Sequence, residues 1–236
     1  MNKKVLFYSD IKPLSSVDHS DLFLRDDAGY AFARKVNAVP LTTIEFTKAA
    51  AEYAIVFAGE KESMAPYAVL SIYEGDNHFV DEDGKFKASY IPAFIRRYPF
   101  VFTTFDEGKN FTLCIDLESP SLNSECIGYR LFEQDGRQSE YLSRIVAFMT
   151  EYQRQFNRTS EFCKKLQEFD LLAPFSAQVK TDKKEPHTLT GFYAVGKDRL
   201  KGLSDSQLRQ LVQSDELGLI YNHIQSMVNF DRFARI

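Results

Sequence analysis

A chain of 236 residues, 44% hydrophobic and 26% charged, has enough apolar material for a sizeable core and the composition of an ordinary globular protein. Its net charge of −4 divides into −6 over residues 1–129 (13 basic, 19 acidic) and +2 over residues 130–236 (16 and 14), which excludes the strongly basic face of a nucleic-acid binder. Three scattered cysteines exclude a disulfide framework or a four-ligand zinc site, and no window approaches the ~20 apolar residues of a membrane span.

Phenylalanine is over-represented: 21 Phe and 12 Tyr stand beside no Trp. These rings either fill a core or present an aromatic surface to a partner. At the N-terminus, the apolar run Val5 to Tyr8 reads as a short strand. Asp10 and Lys12 break it before it reaches the roughly 7–15 apolar residues of an export signal. The expectation is a soluble cytoplasmic protein with reduced, buried thiols, in which Cys114 and Cys126 pair only if they lie on neighbouring strands. Residues up to 40 are otherwise irregular or extended, punctuated by Pro13 and Pro40.

Thr43 to Glu52 reads as a short helix burying Ile44, Phe46, Ala50 and Ala51 in part. Apolar strands follow at 53–58 and 67–73, and the turn residues Gly75, Asp76 and Asn77 lead into a third strand at 78–80, all pairing antiparallel. Asp81 to Gly84 turns the chain into a segment dense in aromatic side chains, 84–100. There Pro92 and Pro99 limit regular hydrogen bonding and push Ile91 and Tyr98 toward extended geometry. Two short pieces around a bend are expected, with Phe94 and Phe100 buried. Phe100–Phe105 and Phe111–Ile115, flanking Asp106 to Lys109, form a hairpin.

From Ser139 the apolar period becomes helical through Leu142, Ile145, Val146, Met149 and Phe156. Thr159 caps a second helix carrying Phe162, Leu166 and Phe169, which stops at Leu171 to Pro174. Strand-like sequence returns over 175–203, interrupted by the polar loop 180–186. Ser204 to Gln207 fits a capping box, and Asp215 starts the last helix. The pattern is α+β: one domain over 1–236 with a mainly antiparallel central sheet and a helix-rich C-terminal half. Two lobes divided near residue 137 are the alternative.

No nucleotide, hydrolase or metal motif occurs, so catalytic residues are unassigned and neither cofactor nor metal is expected. The strongest polar candidates are Arg96 and Arg97, since guanidinium groups grip carboxylate or phosphate and stack on rings such as Tyr90, Phe94 and Tyr98. Against this stands a structural role, one arginine paired with a carboxylate and the other solvated. His223, on the last helix, reads as a proton shuttle or as a hydrogen-bonded core histidine. Asp76 and Asn77 suit a cation or sugar hydroxyl, or serve the turn alone. The Lys164–Lys165 and Lys183–Lys184 pairs read as solvated faces.

The run YIPAFIRRYPF, Tyr90 to Phe100, resembles the hallmark of the bacterial SapC family. Pro66 to Leu70, Gly75 to Phe79, Leu131 to Gly136, Leu189 to Tyr193 and Leu219 to Ser226 agree with it in order. The likeness covers nearly the whole chain; Phe86 departs from it, where similar sequences often carry tryptophan. The resemblance implies an association with surface-layer loci and with genes for halogenase-like, cupin-like and outer-membrane receptor proteins, but it transfers no catalytic residue. An unrelated peptide-transporter permease shares the name and lends this chain no function. Two functions compete. One is a non-catalytic binding or accessory protein, linked to surface assembly or to peptide or glycan processing, whose partner is a protein or small anionic ligand. The other is an enzyme on a small anionic substrate, using Arg96 or Arg97 as anchor and His223 as acid or base. Asn77, Tyr90 and Tyr98 complete the candidate ligand-binding set. A surface-layer subunit would need export. Oligomeric state is not legible.

Overall fold

The computed structural model describes residues 6–104, 111–180 and 187–235. In chain order the strands are β1 (Ile11–Pro13), β2 (Phe23–Leu24), β3 (Ala38–Pro40), β4 (Ile55–Ala58), β5 (Ala65–Val69), β6 (Phe100–Thr104), β7 (Phe111–Asp116), β8 (Leu122–Asn123), β9 (Tyr129–Arg130), β10 (Leu172–Val179) and β11 (His187–Val195). The α-helices are α1 (Phe46–Ala49), α2 (Ala93–Arg96), α3 (Glu140–Glu168), α4 (Lys197–Lys201), α5 (Asp205–Gln213) and α6 (Glu216–Ser226), followed by a 3-10 helix over Met227–Arg235. The strand pairs are antiparallel and most helical residues follow residue 139, so the fold is α+β with a helix-rich C-terminal part.

The chain divides into two compact units, and the division is interleaved: unit one holds residues 1–33, 80–86 and 95–153, unit two residues 34–79, 87–94 and 154–236. The boundary therefore does not fall near residue 137.

Unit one contains the sheet β1-β7-β6 and the small sheet β8-β2-β9. The hairpin of β6 and β7 pairs Phe100 with Ile115 through Thr104 with Phe111, and burial deepens toward the Phe100–Ile115 end. The turn expected at Asp106 to Lys109 falls outside the described residues. Pro13 sits in β1, an edge strand, where a missing N–H costs the ladder least. The core gathers Leu24, Phe100, Ile115, Leu131, Phe132, Leu142 and Met149, the last two from α3. Ser139 caps α3 as expected, its hydroxyl accepting the Leu142 N–H at 3.1 Å.

Unit two is built on the five-stranded sheet β10-β11-β4-β5-β3. The expected strands at 53–58 and 67–73 correspond to β4 and β5, which pair Ile55 with Ala68 and Phe57 with Pro66. Phe162 of α3 meets Phe46 edge-on, with ring centroids 6.2 Å apart. The capping box at Ser204 is present, its hydroxyl accepting the Gln207 N–H at 3.3 Å and the Gln207 side chain accepting the Ser204 N–H at 3.0 Å.

Several expectations are corrected. Residues 78–80 are not a strand: Asn77 Oδ1 accepts the Phe79 N–H at 2.9 Å and turns the chain, leaving Val80 in an isolated bridge to Phe86. Residues 6–8 are not a strand either, with Phe7 at φ +70°. Residues 140–168 are one helix, because the Thr159 hydroxyl back-bonds to the Gln155 carbonyl at 2.7 Å and accepts the Thr43 N–H at 2.8 Å instead of capping. Ile44 and Ala51 are exposed, while Phe46 and Ala49 are fully buried and Ala50 is half-buried as expected. Most of the expected 180–186 loop lies outside the described residues.

All three cysteines are free, but only Cys114 and Cys163 are buried, and burial pushes the Cys163 thiol up to about 12. Cys126 is exposed in a loop at φ +61°. Ellman's reagent is therefore expected to find one fast-reacting thiol in the native protein and three after denaturation without reductant. A slow Cys126, or fewer than three thiols on denaturation, contradicts this arrangement.

Candidate functional site

The segment 90–100 is held from both ends by buried carboxylates. In unit two, Glu45 accepts the Tyr90 hydroxyl at 2.8 Å and the Ala93 N–H at 2.7 Å on one oxygen, and the Thr42 N–H and hydroxyl, both at 2.8 Å, on the other. The Tyr53 hydroxyl donates to the Tyr90 carbonyl. Pro92 brings no donor of its own, so the N–H of Ala93 is the one that Glu45 satisfies where α2 begins.

In unit one, Asp116 at the end of β7 is buried and accepts the N–H groups of Ser9 at 3.1 Å and Asp10 at 2.8 Å, together with the Tyr98 hydroxyl at 3.2 Å. Burial is the main cause that pushes the Tyr98 phenol up to about 12. The Tyr98–Pro99 peptide bond is cis, and Phe94 and Phe100 are buried as expected.

The two arginines part company. Arg97 is half-buried, its guanidinium carbon 5.1 Å from the Tyr152 ring centroid and 5.9 Å from that of Tyr8. The Tyr8 hydroxyl donates to the Phe100 carbonyl at 2.7 Å. Burial pushes its pKa up, against the opposing charge and hydrogen bond of Arg97. Arg96 is exposed and rests over the Phe148 ring at 5.3 Å.

Arg96 and Tyr98 line a cleft of about 330 Å³ in unit one, with Arg25, Tyr30, Phe32 and Tyr141. Phe32 and Tyr98 stack at 4.1 Å. Tyr30 is fixed by its N–H, which donates to the Gly84 carbonyl at 2.7 Å, and by an edge contact with Phe86 at 5.5 Å. That approach needs glycine at 29: its φ is +64°, and a Cβ there would sit 3.0 Å from the Gly84 carbonyl oxygen. Arg25 is neutralised by Asp27 through hydrogen bonds of 2.9 and 3.0 Å. Asp26, which accepts the Tyr129 hydroxyl at 3.4 Å, also lines the cleft.

The remaining candidates lie in unit two. Asn77 is buried in its turn, and Tyr90 is bound to Glu45. His223 is fully buried: Nε2 accepts the Val195 N–H at 2.9 Å and Nδ1 lies 2.8 Å from the Ile55 carbonyl. Those partners fix the neutral tautomer with its proton on Nδ1. Burial is the main cause that pulls its pKa down to about 4. Of the six candidates the structure thus brings Arg96 and Tyr98 to one cleft. Arg25, Tyr30, Phe32 and Tyr141 were missed, because they sit in stretches with no motif. Gly29 before Tyr30 was the available signal. Among the described residues, no three His, Cys, Asp or Glu side chains gather as a metal site.

No helix among the described residues is long and apolar enough to cross a membrane. A family model described as SapC matches residues 14–233. No curated protein and no solved structure matches the chain.

Proposed function

Because the chain belongs to the SapC family, we propose that it is a non-catalytic binding protein whose unit-one cleft takes a small organic anion with a flat apolar body. The observation that carries this reading is the exposed Arg96 guanidinium on a cleft walled by Tyr30, Phe32, Tyr98 and Tyr141. Rings of this kind pack flat ligands, and a guanidinium binds a carboxylate through paired N–H groups. Asp26 in the same lining repels additional negative charge, so a monocarboxylate suits the cleft better than phosphate. The burial of His223, with both ring nitrogens engaged by backbone, weighs against the enzyme alternative, which needs it as acid or base. We further propose that residues 1–236 act as one SapC-like domain, since the family match runs over 14–233 and the chain passes between the units five times. A cytoplasmic setting, a protein as the other class of partner, and an accessory role in surface assembly or in peptide or glycan processing rest on the sequence reading and the family alone.

Calorimetric titration with benzoate, benzamide and inorganic phosphate tests the binding. Benzoate is expected to bind tightest, and Arg96→Ala to weaken it at least about tenfold while costing at most about 1 kcal/mol of stability through the lost contact with Phe148. Arg97→Ala is expected to cost about 2 kcal/mol of stability by removing the cation between two rings. Benzoate binding that survives Arg96→Ala sinks the assignment of the cleft.

A further inference from the structure

We infer that a second cleft, wholly within unit two, binds a zwitterion of the α-amino-acid kind, free or at the ends of a short peptide. The cleft measures about 500 Å³ and is lined by Glu52, His78, Lys87, Asp231 and Arg232 around the apolar surfaces of Phe79 and Ala88. That size falls in the ordinary range for small-ligand sites.

Its charges sort into two groups. Arg232 and Glu52 are committed to the framework. The guanidinium donates to Asn229 Oδ1 at 3.2 Å, to the Ala51 carbonyl at 3.0 Å and to Glu52 at 3.4 Å, and the other Glu52 oxygen accepts the Ser89 N–H at 3.3 Å. Lys87 and Asp231 are different. Both are exposed, they are opposite in sign, and neither has an ion-pair partner within 4.0 Å among the described residues. One cleft therefore offers an unneutralised ammonium and an unneutralised carboxylate over an apolar floor. A bare anion gains Lys87 but meets Asp231, and a bare cation meets the reverse. A ligand carrying a carboxylate and an ammonium at its two ends satisfies both, and a small side chain can cover Phe79.

His78 supports this polarity. Its ring packs edge-on against Phe79 at 5.7 Å and Phe233 at 6.1 Å. Burial and the charge of Lys87 lower its pKa, with Asp76 opposing, so near neutral pH it brings a hydrogen-bonding ring and not another cation. The inference stands apart from the unit-one cleft and from the anion-binding reading.

The test titrates the full-length protein with L-alanine, L-alanyl-L-alanine, N-acetyl-L-alanine and L-alaninamide by calorimetry, following the His78 ring proton by NMR in parallel. Saturable binding of at least one zwitterion is expected, at least about tenfold tighter than either blocked compound, with the His78 signal moving at the same midpoint. Whichever zwitterion is tighter identifies a free amino acid or a peptide as the ligand class. Lys87→Met should reduce the affinity to that of alaninamide, and Asp231→Asn to that of N-acetylalanine. Both side chains are exposed, so an unchanged melting temperature is expected to accompany each loss. The inference is overturned if N-acetylalanine binds as tightly as the zwitterions, if neither zwitterion binds saturably at millimolar concentration to folded protein, or if binding leaves His78 unmoved.

Discussion

Glu45→Ala is expected to lower stability by at least about 4 kcal/mol, since the buried N–H groups of Thr42 and Ala93 and the hydroxyls of Thr42 and Tyr90 lose their acceptor at roughly 1–3 kcal/mol for each donor left dry. The midpoint of urea unfolding reads the effect. Glu45→Gln should fall between wild type and alanine, because the amide keeps one accepting oxygen and turns an NH2 group toward the other pair of donors. Tyr90→Phe, which removes the hydroxyl's bond to Glu45, is expected to cost about 1 kcal/mol. If Glu45→Ala unfolds within about 1 kcal/mol of wild type, the carboxylate is not the anchor of the segment it touches.

That anchor explains why the sequence revealed some parts of the molecule and hid others. Elements set by local pattern were legible: the β6–β7 hairpin from two apolar runs flanking a polar stretch, β4 and β5 from their apolar runs, and α5 from its capping box. Elements set by a distant partner were not. Thr159 has the chemistry of a cap, but its hydroxyl serves Thr43, 116 positions away, and the helix runs on through it. The conspicuous run from Tyr90 to Phe100 drew attention to its own arginines and tyrosines. Nothing in it betrays that Tyr90 is tied to a glutamate 45 positions earlier, or that Tyr98 stacks on Phe32. Periodicity and spacing see neighbours along the chain, whereas the cleft walls come from separated stretches: Tyr30 and Phe32 beside Gly29, Arg96 at the end of α2 and Tyr141 in α3.

Acidification is expected to weaken the protein through His223. In the unfolded chain this histidine protonates near its ordinary value of 6.5; in the folded chain it stays neutral until about pH 4. Between those values the unfolded state binds more protons, so stability is full above the unfolded value and is lost as pH falls toward the folded one. The loss from this residue amounts to about 3 kcal/mol at completion. Protonation would also set an N–H on Nε2 against the Val195 N–H that it now accepts. The measurement compares urea midpoints at pH 7 and pH 4.5 for wild type and His223→Gln. The variant should be less stable at pH 7 yet lose less on acidification, and the difference isolates this residue from the carboxylates. A His223 ring resonance that titrates near 6.5 in the folded protein contradicts the prediction.

The order of strands in the large sheet also governs how the chain is made. β4 has β5 on one side within a few residues, but its other neighbour is β11, where Tyr193 pairs with Phe57 across 136 positions of sequence. During synthesis at about 5–20 residues per second, the second edge of β4 waits roughly 7–27 s for the strand that closes it. For that interval the apolar run Ile55 to Ala58 presents open backbone groups that any other nascent strand can pair with. The nascent chain therefore has a defined window, from the emergence of β4 to that of β11, in which a chaperone that covers an apolar edge has most to protect.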